Sequence, residues 1–261
     1  LRIAAIVPCH NEEAAVGKFE GCEITTGSYN KLKEYMHANY RKYDVVNAHN
    51  HPSELLLWPK KKPQVWSYNE APYYVQSGEC LNPVEKSIVE SSVSLAVVAN
   101  EKNANMYNEL YNTPLVCNMY GIDPSFYSVE PNSVEKTRAK FGLMNTDFIV
   151  SVIAWIHPFK RQNLAVRAIG KLVSSIPNIK LVLAGSNDQN EVAVLQGIAR
   201  ELGIEKRVIF TGYVDNETVR DIYYSSNVIL CPFQKQGSYL TILESLCTKK
   251  PVVISVDTML S

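Results

Sequence analysis

Val228-Ile-Leu-Cys-Pro-Phe-Gln-Lys-Gln-Gly-Ser-Tyr-Leu-Thr-Ile-Leu-Glu244 passes from a short apolar run through a loop into an apolar-periodic stretch. Residues 228–231 have the length of a buried strand, and the loop ends in Gly237-Ser238 just before the helical period begins. Strand, loop and helix in that order form a phosphate cradle, because the free N–H groups at a helix N-terminus carry partial positive charge. Glu244 follows Gln236 by eight positions, about two turns into the helix, so both side chains can point back to one cleft. A buried glutamate there needs a partner such as a sugar hydroxyl or a lysine.

The same alternation extends along the chain. Short apolar, β-branched runs at 3–7, 44–48, 64–68, 95–99, 148–154, 180–184, 207–211, 228–231 and 252–255 predict buried parallel strands. Between them, 158–176 places Leu164, Ala165, Ala168, Ile169 and Leu172 on one helical face, and 191–202 repeats the period with Val192, Leu195, Ile198 and Ala199. Strand–helix alternation predicts doubly wound α/β sheets. Ser128-Val-Glu-Pro-Asn132 is turn-rich and precedes a fresh helix at 133–141, so the expected domains are 1–127 and 128–261. Ligands of such domains bind at the strands' C-terminal ends.

Composition narrows the function. The 261 residues carry 26 basic and 26 acidic side chains, which argues against a nucleic-acid partner. Residues 1–127 hold 11 basic and 14 acidic groups, leaving 15 and 12 for 128–261, and this +3 suits an anionic ligand. Six cysteines lack zinc-ligand spacing and read as reduced, buried thiols of a cytoplasmic protein. No apolar run reaches membrane-spanning length and the start lacks a signal-peptide layout, so the expectation is a soluble protein, with peripheral membrane contact its only membrane option. Lys60-Lys61-Lys62 reads as a solvated loop.

Pro232-Phe233, then Gln236-Gly-Ser-Tyr-Leu-Thr-Ile-Leu-Glu244 and Pro251-Val252-Val253, resembles the family 4 glycosyltransferases, whose pattern is Pro-Ser, Glu-x-Phe-Gly-x-x-x-x-Glu and a closing Pro-Val-Val. The resemblance assigns Glu244 to the donor ribose, and Gln236, Gly237 and Ser238 to the sugar and phosphate edge. Ser151-Val-Ile-Ala-Trp-Ile-His-Pro-Phe-Lys160-Arg161 is similar to the family's strand and diphosphate-binding loop. By this likeness Lys160 neutralises the diphosphate, while the family's Gly-Arg is Ala154-Trp155 here and Arg161 is the candidate substitute. Such cations suit a departing nucleoside diphosphate in a metal-free site. Further matches at 180–187 and 208–214 imply that Gly185 and Gly212 let backbone approach the nucleotide, with the base read near Val208.

In the N-terminal half, Asp44-Val-Val-Asn-Ala-His49-Asn-His51 resembles the family's Asp-Val-x-His-x-His strand end. His49 takes the place of the histidine facing the transferred sugar, Asn47 that of the first histidine, and His51 and Glu70 fall on the acceptor side. Residues 1–17 depart from this pattern and resemble the start of family 2 glycosyltransferases, which have the GT-A fold, although no Asp-x-Asp metal site follows.

The combined reading is a GT-B-like α/β chain of two Rossmann-like doubly wound domains, with a reduced N-terminal lobe and a truncated C-terminal end. The expected activity is retaining, metal-independent and cofactor-free transfer of a hexosyl group from a nucleotide sugar to a glycan or lipid-linked acceptor. The alternatives are a catalytically weak nucleotide-sugar-binding partner or fragment, and a family 2 enzyme. A dinucleotide enzyme ranks last, because no Gly-x-Gly-x-x-Gly follows a strand.

Overall fold

The computed structural model describes residues 2–8, 15–19, 22–49, 61–68, 83–118, 121–186, 189–233 and 240–255. The chain divides into two compact units, 1–120 and 121–261.

The first unit is built on strands β1 (Ile3–Pro8), β2 (Ala15–Phe19), β3 (Cys22–Gly27), β4 (Val45–His49), β5 (Gln64–Tyr68), β6 (Leu95–Val98) and β7 (Leu115–Cys117). They form one sheet in the order β2-β3-β1-β4-β5-β6-β7, parallel throughout except for the β2–β3 pair. Helices α1 (Tyr29–Asn39), α2 (Pro83–Ser92) and α3 (Glu101–Leu110) connect them. Leu32 and Met36 of α1 pack with Ala4, Tyr43 and Val46. A second cluster surrounds the buried Trp66, whose ring lies 4.8 Å from that of Tyr68 and 5.7 Å from those of Tyr107 and Tyr111. The run 3–7 is therefore an interior strand of the first unit's α/β sheet.

Strands β2, β3 and β7 were not expected. Cys22-Glu-Ile-Thr-Thr-Gly27 mixes polar residues into its run, and β2 gains its place by antiparallel pairing with β3, a long-range contact that local periodicity does not encode. In the 60–62 lysine run, Lys62 donates to the carbonyls of Arg41 (3.2 Å) and Tyr43, and Lys61 lies 5.5 Å over the Tyr40 ring. Lys62 thus braces the first unit, while Lys61 is exposed, as expected of a solvated loop.

The second unit contains α4 (Pro124–Tyr127), α5 (Val134–Lys140), β8 (Phe148–Ile153), α6 (Gln162–Leu172), β9 (Ile179–Ala184), α7 (Gln189–Glu201), β10 (Val208–Gly212), α8 (Asn216–Ser225), β11 (Val228–Cys231), α9 (Leu240–Cys247) and β12 (Val252–Ile254). Its sheet is fully parallel in the order β10-β9-β8-β11-β12. Ile179, Leu181, Val182, Leu183 and Ala184 of β9 have no exposed surface, as expected for a strand covered on both faces. Each of the isoleucine, leucine and valine side chains contributes roughly 1.5–3 kcal/mol of burial. Buried Asp221 on α8 accepts hydrogen bonds from Ser133 (2.8 Å) and Thr137 (2.6 Å), fastening α5 to α8.

Four expectations shift, the last of them in both units. The junction falls at 120/121 rather than 127/128, because α4 is anchored to the second unit through Tyr127. The stretch 158–176 divides into a 3-10 turn, Pro158–Lys160, and α6, since Arg161 between them is left-handed (φ 51°, ψ 36°). On α6 the buried face is Gln162, Ala165, Val166 and Ile169, whereas Leu164 and Leu172 are exposed. Of the described cysteines, Cys231 is buried and Cys117 is exposed, contrary to the expectation of uniformly buried thiols. Among the described residues, no helix is long and apolar enough to cross a membrane.

Candidate functional site

The second sheet reverses its strand order between β8 and β11, because β9 and β10 lie to one side of β8 and β11 and β12 to the other. A crevice at the C-terminal ends of the strands, at this switch point, is where open α/β sheets take ligands.

The loop leaving β8 is fixed by backbone contacts. Ala154 N–H donates to Ala184 (2.9 Å), Ile156 N–H to Ser186 (2.9 Å), and Gly185 N–H to Gly212 (3.1 Å), so the ends of β8, β9 and β10 are tied in series. A Cβ on Gly185 would stand 2.1 Å from the Ala154 carbonyl oxygen, and this close approach accounts for the glycine. Gly212 has a positive φ of 69° beside a shift in the β9–β10 register. Val208, the first residue of β10, is buried at the sheet edge.

Pro158 starts the 3-10 turn that presents Lys160, and Gln162 Nε2 donates to the Trp155 carbonyl at 2.9 Å, drawing the start of α6 back onto the loop. The Lys160 ammonium lies 5.2 Å from the centroid of the buried Phe233 ring, just beyond β11. Its charge also opposes, without cancelling, the burial that pushes the Cys231 thiol up to about 12. Lys160 therefore spans from the end of β8 to the end of β11. Arg161 follows it as the left-handed residue before α6.

Glu244 lies on α9, the fifth residue of its described span. Thr241 Oγ1, one turn earlier, donates to the Ile153 carbonyl at 3.3 Å, placing α9 at the same end of β8 as the Lys160 loop. The Glu244 carboxylate accepts from Tyr127 Oη at 2.9 Å on Oε1 and from Tyr223 Oη at 2.6 Å on Oε2. Among the described residues, its side-chain partners are thus two tyrosine hydroxyls. Sequence reasoning missed both, although a tyrosine on the buried face of amphipathic α8 signals a hydroxyl in need of a partner.

Trp155, where the family carries its arginine, is half-exposed and stacks on His157 at 4.2 Å; His157 stacks on Phe159 at 5.1 Å. In the first unit, His49 ends β4 beside the central β1, at that sheet's own switch point, and burial lowers its pKa. Its imidazole is held neutral at pH 7. Asn47 accepts from Ser67 Oγ at 3.0 Å, a bond between β4 and β5. His51, Glu70, Gln236, Gly237 and Ser238 lie outside the described residues. Among the described residues, no three His, Cys, Asp or Glu side chains converge as a metal site.

Residues 133–261, nearly all of the second unit, match the family of glycosyl transferases group 1. An uncharacterized glycosyltransferase of Methanocaldococcus jannaschii is 23% identical over 231 residues, covering 82% of this chain and 58% of that protein. The D-inositol 3-phosphate glycosyltransferase of Mycolicibacterium smegmatis is 29% identical over 136 residues, covering 51% of this chain and 30% of the relative. The chain thus spans little more than half the length of the first relative and less than a third of the second. Among solved structures, Anabaena HepE in complex with UDP and glucose superposes with a TM-score of 0.75 at 18% identity, over 91% of this chain and 68% of that one. Sucrose-phosphate synthase from Thermosynechococcus elongatus gives 0.78 at 16%, over 100% and 82%. The fold is the GT-B-like pair of α/β units expected from the sequence.

Proposed function

We propose that this chain, whose second unit matches the group 1 glycosyl transferases, binds a nucleotide sugar there and passes the sugar to a hydroxyl of a glycan or lipid-linked acceptor. The observation that carries this reading is the convergence of the Lys160 loop and Glu244 on the switch-point end of β8. Lys160, with Arg161, stabilises the diphosphate as the bond between the anomeric carbon and the phosphate oxygen breaks. Glu244 takes the ribose. By the family resemblance, the sugar and phosphate edge falls to Gln236, Gly237 and Ser238, and the nucleotide to Gly185, Gly212 and Val208. On the family resemblance alone, His49 is assigned to the reacting sugar and His51 and Glu70 to the acceptor. Transfer retains anomeric configuration and uses no metal. The UDP and glucose held by the Anabaena structure support this choice of donor class.

Trp155 favours a second reading. A half-exposed aromatic residue stands where an arginine would neutralise phosphate, which suits a protein that binds donor but transfers sugar weakly. Incubation of the 261-residue chain with UDP-, GDP- and ADP-sugars, followed by mass spectrometry, separates the two. Release of nucleoside diphosphate, lost in Lys160→Ala, supports transfer; binding without release supports the partner reading; neither binding nor release contradicts both.

A further inference from the structure

We infer that the second unit carries a separate binding site, for the phosphate ester of a small sugar or polyol, in a cavity at the end of its sheet opposite the Lys160 loop. The cavity has a volume of about 620 Å³, within the roughly 300–1,000 Å³ of small-molecule sites. Its walls are the turns that enter three adjacent parallel strands, with Thr146 before β8, Asn178 before β9 and Lys206 before β10. A six-residue strand at about 3.3 Å per residue sets this end about 20 Å from the loop after β8.

Three cations line the cavity, Lys180, Lys206 and Arg207. Lys180 Nζ donates to the Lys206 carbonyl at 3.0 Å, and Arg207 Nη1 donates to the carbonyls of Pro177 and Ile179, the latter at 3.3 Å. These bonds hold both side chains in place yet use a minority of their donors, since an ammonium has three N–H groups and a guanidinium five. Lys206 is exposed, and its side chain has no partner among the described residues. Two acids share the wall. Buried Asp147 turns one oxygen to the Met144 N–H at 2.8 Å, and exposed Glu205 forms no ion pair among the described residues. The cations therefore keep free donors that no ion pair neutralises.

Lysine and arginine donors around one space match the oxygens of a phosphate ester. The cavity offers more room than a phosphate group fills, and the rest of its wall suits hydroxyls. The Glu205 carboxylate accepts O–H donors, and Asn178, whose Nδ2 donates to the Thr146 carbonyl, keeps its Oδ1 as an acceptor. A free carboxylate beside the cations disfavours a polyanion and suits a single phosphate on a neutral, hydroxylated body. The walls are tied before any ligand arrives: Phe148 N–H donates to the Asn178 carbonyl at 3.1 Å, and Arg207 N–H to the Ile204 carbonyl at 2.8 Å. Such preorganisation lowers the ordering cost of binding.

The test titrates the 261-residue chain with ribose 5-phosphate, inorganic phosphate and ribose, followed by calorimetry and by backbone amide NMR shifts. Ribose 5-phosphate should bind saturably and more tightly than inorganic phosphate, ribose should give no response, and the shifts should cluster at 144–147, 177–180 and 203–207. Lys206→Gln changes an exposed side chain that ties nothing, and it should weaken binding by about tenfold, the loss of a charge-assisted hydrogen bond. Lys160→Ala should leave ribose 5-phosphate affinity unchanged. No saturable binding, an equal response to ribose, inorganic phosphate binding as tightly as the ester, or affinity untouched in Lys206→Gln would each overturn the inference. Shifts centred on 154–161, or weakened binding in Lys160→Ala, would place the ligand at the other end of the sheet and overturn it as well.

Discussion

The ammonium group of Lys160 lies 5.2 Å from the ring centroid of Phe233, joining the loop after β8 to the end of β11 across the point where the sheet reverses order. The ring orients a charge that the proposed diphosphate would share. Replacing Phe233 by leucine keeps the apolar volume and removes the π face, worth about 0.5–1 kcal/mol at a partly exposed site. Nucleoside diphosphate affinity should fall by less than tenfold in calorimetry, far less than in Lys160→Ala.

Gly185→Ala should be the more damaging change although it adds only a methyl group. The new Cβ would stand 2.1 Å from the Ala154 carbonyl oxygen, so the loop carrying Lys160 must move. A cost on the order of 3 kcal/mol is expected in urea unfolding, with nucleotide binding weakened even where the variant remains folded.

Arg161 separates charge from backbone strain. Its φ of 51° is costly for any residue with a Cβ, by about 1–2 kcal/mol. Arg161→Gly and Arg161→Ala remove the same cation, so their nucleotide affinities should agree. In urea unfolding the glycine variant should be the more stable by about 1 kcal/mol, and the reverse order would contradict the strain argument.

His49 gives the pH dependence a sign. Burial lowers its pKa below the ordinary 6.5, so between those values the unfolded chain binds more protons than the folded one. Its contribution is intact above about pH 6.5 and is lost as pH falls through the folded value. Thermal midpoints should drop more steeply on acidification in wild type than in His49→Gln, and equal slopes would show that the imidazole is not held neutral by the fold.

Most of the architecture was legible because buried parallel strands declare themselves as apolar runs, as in 180–184 and 228–231. The missed strands show the limit. Residues 22–27 become a strand only by pairing with β1 and β2, and that pairing is tertiary information. Lys160 and Glu244 were found from residue order and resemblance, and the structure sets both at one end of β8. What sequence could not supply was the company Glu244 keeps. Tyr127 precedes it by 117 positions and Tyr223 by 21, and no local period links such separations. Leu164 and Leu172 misled because apolar character alone does not choose the inward face: α6 buries Gln162, Ala165, Val166 and Ile169 and leaves both leucines exposed.

The central claim is that the second unit is a nucleotide-diphosphate site built on Lys160 and Glu244, and calorimetric titration of the chain with UDP, GDP and ADP tests it most directly. The expected result is saturable binding of one of these to wild type, weakened by roughly 10-fold or more in both Lys160→Ala and Glu244→Ala, the scale of a lost charge-assisted hydrogen bond. Binding unaffected by either substitution, or no binding to folded wild type, would contradict it.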